Sequence, residues 1–252
     1  IHQPELYALR VMGGIGTFVA FFLYSIFLMI ANPQGPLLWL STINGIFTFM
    51  LVLVIQLWFF ASKKGTPGAG DNMIASAMAI EVGKYFKQEK LAGNPLQHTR
   101  VHLVSFDAEE AGLRGARAFF KVYHQQFEEL PTWVFNIDCP YYLDEIFFMT
   151  SDINTSVQLS QTMAERCEKI AHELGYPATT KPITFLTGGT DAGEAAKYDI
   201  HATTLMGMPW DNSERASVYH TPNDTVDEID PKAIEATMAI AIGFVEQLDK
   251  EE

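Results

Sequence analysis

Residues 101–120 read VHLVSFDAEEAGLRGARAFF. Val101 to Phe106 is a short apolar run that stops at an acidic turn, and it predicts a buried strand; Glu110 to Glu129 predicts a helix behind it. Glu109 and Glu110 stand at the join. The same alternation continues outward in both directions. Asn72 to Lys90 predicts a helix upstream, and Trp133 to Asp138 (WVFNID) and Glu145 to Thr150 predict strands downstream. Val157, Ser160, Ala164, Cys167, Ala171 and Leu174 mark one face of a helix that Gly175 ends. Ala202 to Met206 predicts a further strand, and Ile234, Met238, Ala241, Val245 and Leu248 stripe a last helix at spacings of four and three. Strands separated by helices predict an α/β fold, a mostly parallel mixed sheet between helices, with sites gathered at the carboxyl ends of the strands.

Upstream the chain changes character. Between Arg10 and Lys63 it carries 52 consecutive residues without Asp, Glu, Lys or Arg. Val11 to Ala31 and Leu37 to Ala61 are each long enough to cross a hydrocarbon core of about 30 Å as a helix, and Asn32-Pro33-Gln34-Gly35-Pro36 between them is a cluster of helix breakers. The expectation is a transmembrane helical hairpin over residues 1–62, with a lipid bilayer as its partner and a globular domain over 63–252. The plainer alternative is a buried helical hairpin in a soluble core. Arg10, Lys63 and Lys64 fall on one side of such a hairpin, so the positive-inside tendency predicts an integral membrane protein with its globular part in the cytoplasm.

Residues 63–252 hold 45 of the 47 charged residues and all of the net charge of −13. An acidic domain of this kind excludes nucleic acid as the main partner, because phosphate binding needs a basic face. Cys139 and Cys167 have no metal-like or redox spacing and form no disulfide framework.

Acidic and histidine clusters stand at loop positions beside the predicted elements. In Pro67-Gly68-Ala69-Gly70-Asp71-Asn72 a glycine-rich loop stops at a carboxylate where a helix begins; taken alone, the plainer reading of Asp71 is an N-cap. Glu109 and Glu110 suit a helix dipole, but a strand end also fixes both carboxylates. Adjacent residues point different ways, so one can bind metal while its neighbour faces substrate, as a metal-bound water with a separate general base requires. Asp138 ends Asn136-Ile137-Asp138, where a turn residue is the plainer reading. His220 lies in Tyr219-His220-Thr221-Pro222-Asn223-Asp224-Thr225, dense in partners able to orient an imidazole. His2, His98, His102, His124, His172 and His201 read as surface or core histidines.

Taken in order, GAGDN, SFDAEEAGLRGARAF, NID and YHTPNDTVDEID resemble the zinc aminopeptidases of metallopeptidase family 28, clan MH, and GGTDA (188–192) looks like the family's substrate-side loop. The resemblance implies a zinc-exopeptidase-like fold, with 63–252 as a zinc peptidase catalytic domain lacking its first strands, and removal of amino-terminal residues from a peptide substrate. It makes Asp71 the carboxylate bridging two zinc ions. Glu110 and His220 complete the first site, and Asp138 belongs to the second. It makes Glu109 the general base, Tyr219 a candidate support for the oxyanion, and Asp191 with Tyr219 substrate-binding. The family's second zinc also needs a His from a His-x-Asp motif, which this chain lacks; that ligand is expected upstream of Ile1. Two further readings stay open. One is a single-zinc glutaminyl cyclase on Asp71, Glu110 and His220. The other is a membrane scaffold that kept the fold and lost the metals.

Overall fold

The structure, a computed structural model, describes residues 4–31, 43, 46, 50, 54, 65–183, 188–210 and 218–251. The chain divides into two compact units, Ile1–Gly65 and Thr66–Glu252. In the first, helix α1 spans Pro4–Ala31. Among the described residues no helix is long and apolar enough to cross a membrane. The expectation of an integral membrane protein, with a lipid bilayer as partner and its catalytic domain cytoplasmic, is corrected on that ground. The expected turn at 32–36 and the second segment at 37–61 lie outside the described residues, positions 43, 46, 50 and 54 apart.

The second unit alternates helix and strand. Helix α2 (Ile74–Ala92) ends at Gly93, whose φ of 96° is one that a residue with a side chain rarely adopts. Helix α3 (Arg114–Glu128), strand β1 (Trp133–Asp138), strand β2 (Ile146–Met149) and the short β3 (Ser151–Asp152) and β4 (Val157–Gln158) follow. Next come α4 (Gln161–Glu173), β5 (Thr179–Lys181), α5 (Asp191–Ala196), β6 (His201–Gly207) and α6 (Pro231–Asp249). Ser160 caps α4 by accepting from the Met163 N–H at 3.3 Å, and Asp230 caps α6 with Pro231 in its first turn.

The main sheet has the order β1-β6-β2-β5. β1 runs parallel to β6 and β5 parallel to β2, while β2 and β6 are antiparallel, which makes the sheet mixed. The period-2 pleat sorts its side chains. Phe147, Met149 and Met206 face one core with Ala116 and Phe120 of α3; Ile146, Phe148 and Leu205 face a second with Cys167 of α4 and Phe244 of α6. Phe148 is fully buried, and Phe148→Ala costs about 3–5 kcal/mol by the usual cavity penalty.

The first expected strand differs. Residues 101–106 join no ladder among the described residues, and Leu103 and Val104 stay 48% and 42% exposed. They lean on α2 instead: the Leu103 side chain covers Gly83, and the Ser105 and Ser76 hydroxyls lie 2.9 Å apart. A strand needs a partner row of N–H and C=O groups, and β1 shares its bonds with β6 alone among the described residues. The helix expected from Glu110 begins at Arg114, because left-handed residues at Ala108, Gly112 and Leu113 turn the chain first. Val157 and Gln158, expected in a helix, pair with β3.

Candidate metal centre

The Asp71 loop is held from the far end of the chain. Ala69 donates its N–H to the Asp224 carbonyl at 3.2 Å, Gly70 to Asp224 Oδ1 at 2.8 Å and Asp71 to Asp224 Oδ2 at 3.2 Å. Asn72 Nδ2 donates to the Ile137 carbonyl at 2.8 Å, which ties the loop to the end of β1. Gly70 is required sterically, since a Cβ there would sit in the Tyr141 ring. Helix α2 takes Met73 as its N-cap without a side-chain bond. Asp71 is therefore not a cap, and its carboxylate is left to face the site.

The Glu109–Glu110 turn is held locally. Glu109 accepts at its carbonyl from the N–H of Gly112 (2.8 Å) and Leu113 (2.7 Å), Ala108 from Arg114 (3.1 Å) and Asp107 from Gly115 (3.0 Å). Ala108 (φ 56°) and Leu113 (φ 59°) pass through the left-handed region. Burial, then the charges of Asp138, Glu110, Asp191 and Asp71, push Glu109 up to about 9. Glu110 is held below its ordinary range, first by its hydrogen bond from His220.

Asp138 ends β1 and pairs in register with Met206. Burial, then Asp71, pushes it up to about 8. The next residue, Cys139, is 1% exposed and donates its Sγ–H to Asp138 Oδ1 at 3.2 Å; burial beside these carboxylates drives the thiol well above its usual range. Asp191 opens α5 with its Oδ1 buried and, among the described residues, without a hydrogen-bond partner, and burial, then Asp152 and Glu194, raises it to about 6. Tyr219 is buried, stacked on His220 with centroids 3.8 Å apart and edge-on to Trp210.

His220 closes the arrangement. Its Nε2 lies 3.0 Å from Asp71 Oδ2 and 2.8 Å from Glu110 Oε1. Burial pulls this imidazole down, but the bonds to Asp71 and Glu110 more than reverse it, to about 9. Asp71, Glu110 and His220 each offer a donor atom, all within 4.8 Å of one another. One Nε2 carries at most one proton and here faces two carboxylate oxygens. A divalent ion would serve all three donors at once, and nitrogen and oxygen donors of this kind suit zinc. A second group, Asp71, Asp138 and Cys139, meets the same 4.8 Å limit and shares Asp71 with the first.

The structure thus brings Asp71, Glu110 and His220 together and sets Asp138 and Glu109 beside them. His98, His102, His124, His172 and His201 join no donor group among the described residues. His172 and His124 instead face backbone carbonyls, and His2 lies outside the described residues. Sequence reasoning passed over two members. Cys139 was discounted for its spacing to the other cysteine, when its adjacency to Asp138 was the signal. Asp224, inside the His220 cluster, gave no sign that its partners lie 153 residues away.

The description of peptidase family M28 matches residues 59–245. A probable leucine aminopeptidase of the fungus Arthroderma otae is 24% identical over 191 residues, covering 74% of this chain and 49% of that protein. Among solved structures, a zinc aminopeptidase from Bacillus subtilis superposes with a TM-score of 0.59 at 19% identity, over 73% of this chain and 42% of that one. LapB from Legionella pneumophila gives 0.60 at 17%, over 76% and 50%. At these identities the superpositions carry the fold. The chain spans about half the length of the relatives it matches.

Proposed function

Because the chain belongs to peptidase family M28, we propose that it hydrolyses amino-terminal residues from peptides at a zinc centre, with residues 63–252 as the catalytic domain. The family and its zinc aminopeptidase neighbours support a peptide hydrolase that uses zinc. The observation that carries the reading is the convergence of Asp71, Glu110 and His220 on one point, within 4.8 Å of one another, with the Glu109 carboxyl beside them.

In this reading Asp71, Glu110 and His220 would hold the first ion, and Asp71 with Asp138 would face a second. Bound zinc would polarise the scissile carbonyl and acidify water. The positive charge of bound zinc would favour the ionised form of Glu109, and its carboxylate would then take a proton from water and deliver it to the leaving amine nitrogen, the role of a general base that becomes a general acid. Asp191, whose buried Oδ1 has no hydrogen-bond partner among the described residues, receives the substrate's ammonium. The Tyr219 phenol donates to the oxygen that gains charge, as a positioned hydroxyl does at an oxyanion.

The test is zinc content together with hydrolysis of aminoacyl nitroanilides and free-amino peptides, before and after chelation. Zinc-dependent release of the first residue is expected; protein that carries zinc yet cleaves no such substrate would reject the assignment. One observation favours a second reading. Asp71, Glu110 and His220 close around a single point without further help, as a one-zinc glutaminyl cyclase requires, and ammonia release from amino-terminal glutamine would identify it. Protein that takes up no zinc would leave the scaffold.

A further inference from the structure

Asp224 is 1% exposed, and no ion pair is formed by it among the described residues. A buried carboxylate is costly unless hydrogen bonds satisfy it. Its two oxygens accept from the N–H groups of Gly70 (2.8 Å) and Asp71 (3.2 Å), and its carbonyl accepts from Ala69 (3.2 Å). Its own N–H donates to the Thr221 carbonyl at 3.2 Å, within the turn that presents His220. One residue therefore fastens the loop of one metal ligand to the loop of another. The Gly70 side of that loop is pressed against the Tyr141 ring, so it cannot shift that way.

We infer that Asp224 is a positioning residue of the metal centre: it sets the distance between Asp71 and His220 before a cation arrives. The inference rests on the reading of Asp71 and His220 as ligands. Outer partners that orient ligands typically contribute about 10- to 100-fold in metal affinity. Asn at this position keeps one acceptor for Gly70 but turns an NH2 toward the Asp71 N–H, donor against donor. Ala removes both bonds.

Asp249 supplies the control. It also collects backbone N–H groups, from Gln97, His98 and Thr99 at 2.8–3.0 Å, but these belong to the loop after α2 and touch no ligand. Zinc affinity by chelator competition, with melting temperature recorded alongside, is compared for the full chain, Asp224→Asn, Asp224→Ala and Asp249→Asn. The two Asp224 variants should bind zinc about 10- to 100-fold more weakly, with the Gly70 and Asp71 amides losing hydrogen-exchange protection, while Asp249→Asn melts earlier at unchanged zinc affinity. Equal affinity in the Asp224 variants, an equal loss in Asp249→Asn, or failure of both Asp224 variants to fold with zinc present would each overturn the inference. Failure of the unaltered chain to bind zinc would instead remove the ligand reading itself, and the inference with it.

Discussion

The two halves of the metal centre are built differently. Asp71 and His220 sit on loops locked to each other across more than 150 residues of sequence, with Asp138 fixed by a strand beside them. Glu109 and Glu110 ride on a turn held by its own neighbours, and the Glu110 side chain is 65% exposed. One half is set by tertiary structure, the other by local geometry. Rigid donors would fix where a cation sits, as preorganised sites require, while the Glu109–Glu110 pair depends on the bonds of its own turn.

The sharpest break of this comparison is chemical. Glu109→Gln keeps the turn's backbone bonds and all three donors of the first group, so zinc should stay bound while kcat falls by about 10²- to 10⁴-fold, the usual worth of a general base. Unchanged turnover would remove Glu109 from the chemistry, and lost zinc would mean the turn and the ligands are one unit.

A buried carboxyl outside both halves, Asp152, which accepts from Thr190 just ahead of α5, predicts a pH effect. Burial, offset in part by bonds from Thr190 and other N–H groups, raises Asp152 to about 6, against about 3.9 when unfolded. The folded form therefore holds its proton longer. The contribution of Asp152 to stability is greatest below about pH 4 and declines by about 3 kcal/mol as pH rises to 6, then stays flat. Denaturant titrations across that window should slope less steeply for Asp152→Asn than for the native chain, since Glu109, Asp138 and Asp191 are also raised and keep part of the slope.

Two glycine replacements rank the halves directly. Gly70→Ala drives a methyl group into the Tyr141 ring and should lower stability by about 1–3 kcal/mol, as overpacking does. Gly112→Ala meets nothing within 4 Å and bears only the strain of its φ of 94°, about 1 kcal/mol. If chemical denaturation reverses that order, the locally held turn is the stiffer of the two.

What could be read from the sequence follows the same division. WVFNID was legible to the residue, because a buried strand writes its pattern locally. VHLVSF carries an equally apolar pattern, yet pairing depends on a neighbour that no window of sequence contains. Asp71 taken alone read as a cap, and only the distant Asp224 and the start of α2 at Ile74 decide against that. The order of the four clusters singled out Asp71, Glu110 and His220, which the structure brings within 4.8 Å of one another, whereas the N-terminal apolar run pointed to a membrane span that no described helix provides.

Gly115 gives the exposed turn its last constraint. The Asp107 carbonyl lies so close to its Cα that any side chain there would collide with it, and the Gly115 N–H donates to that same oxygen at 3.0 Å. The first turn of α3 is thereby packed directly on the loop ahead of it. The side chains of Glu109 and Glu110 can rotate, while the backbone that carries them stays tied to the first turn of α3.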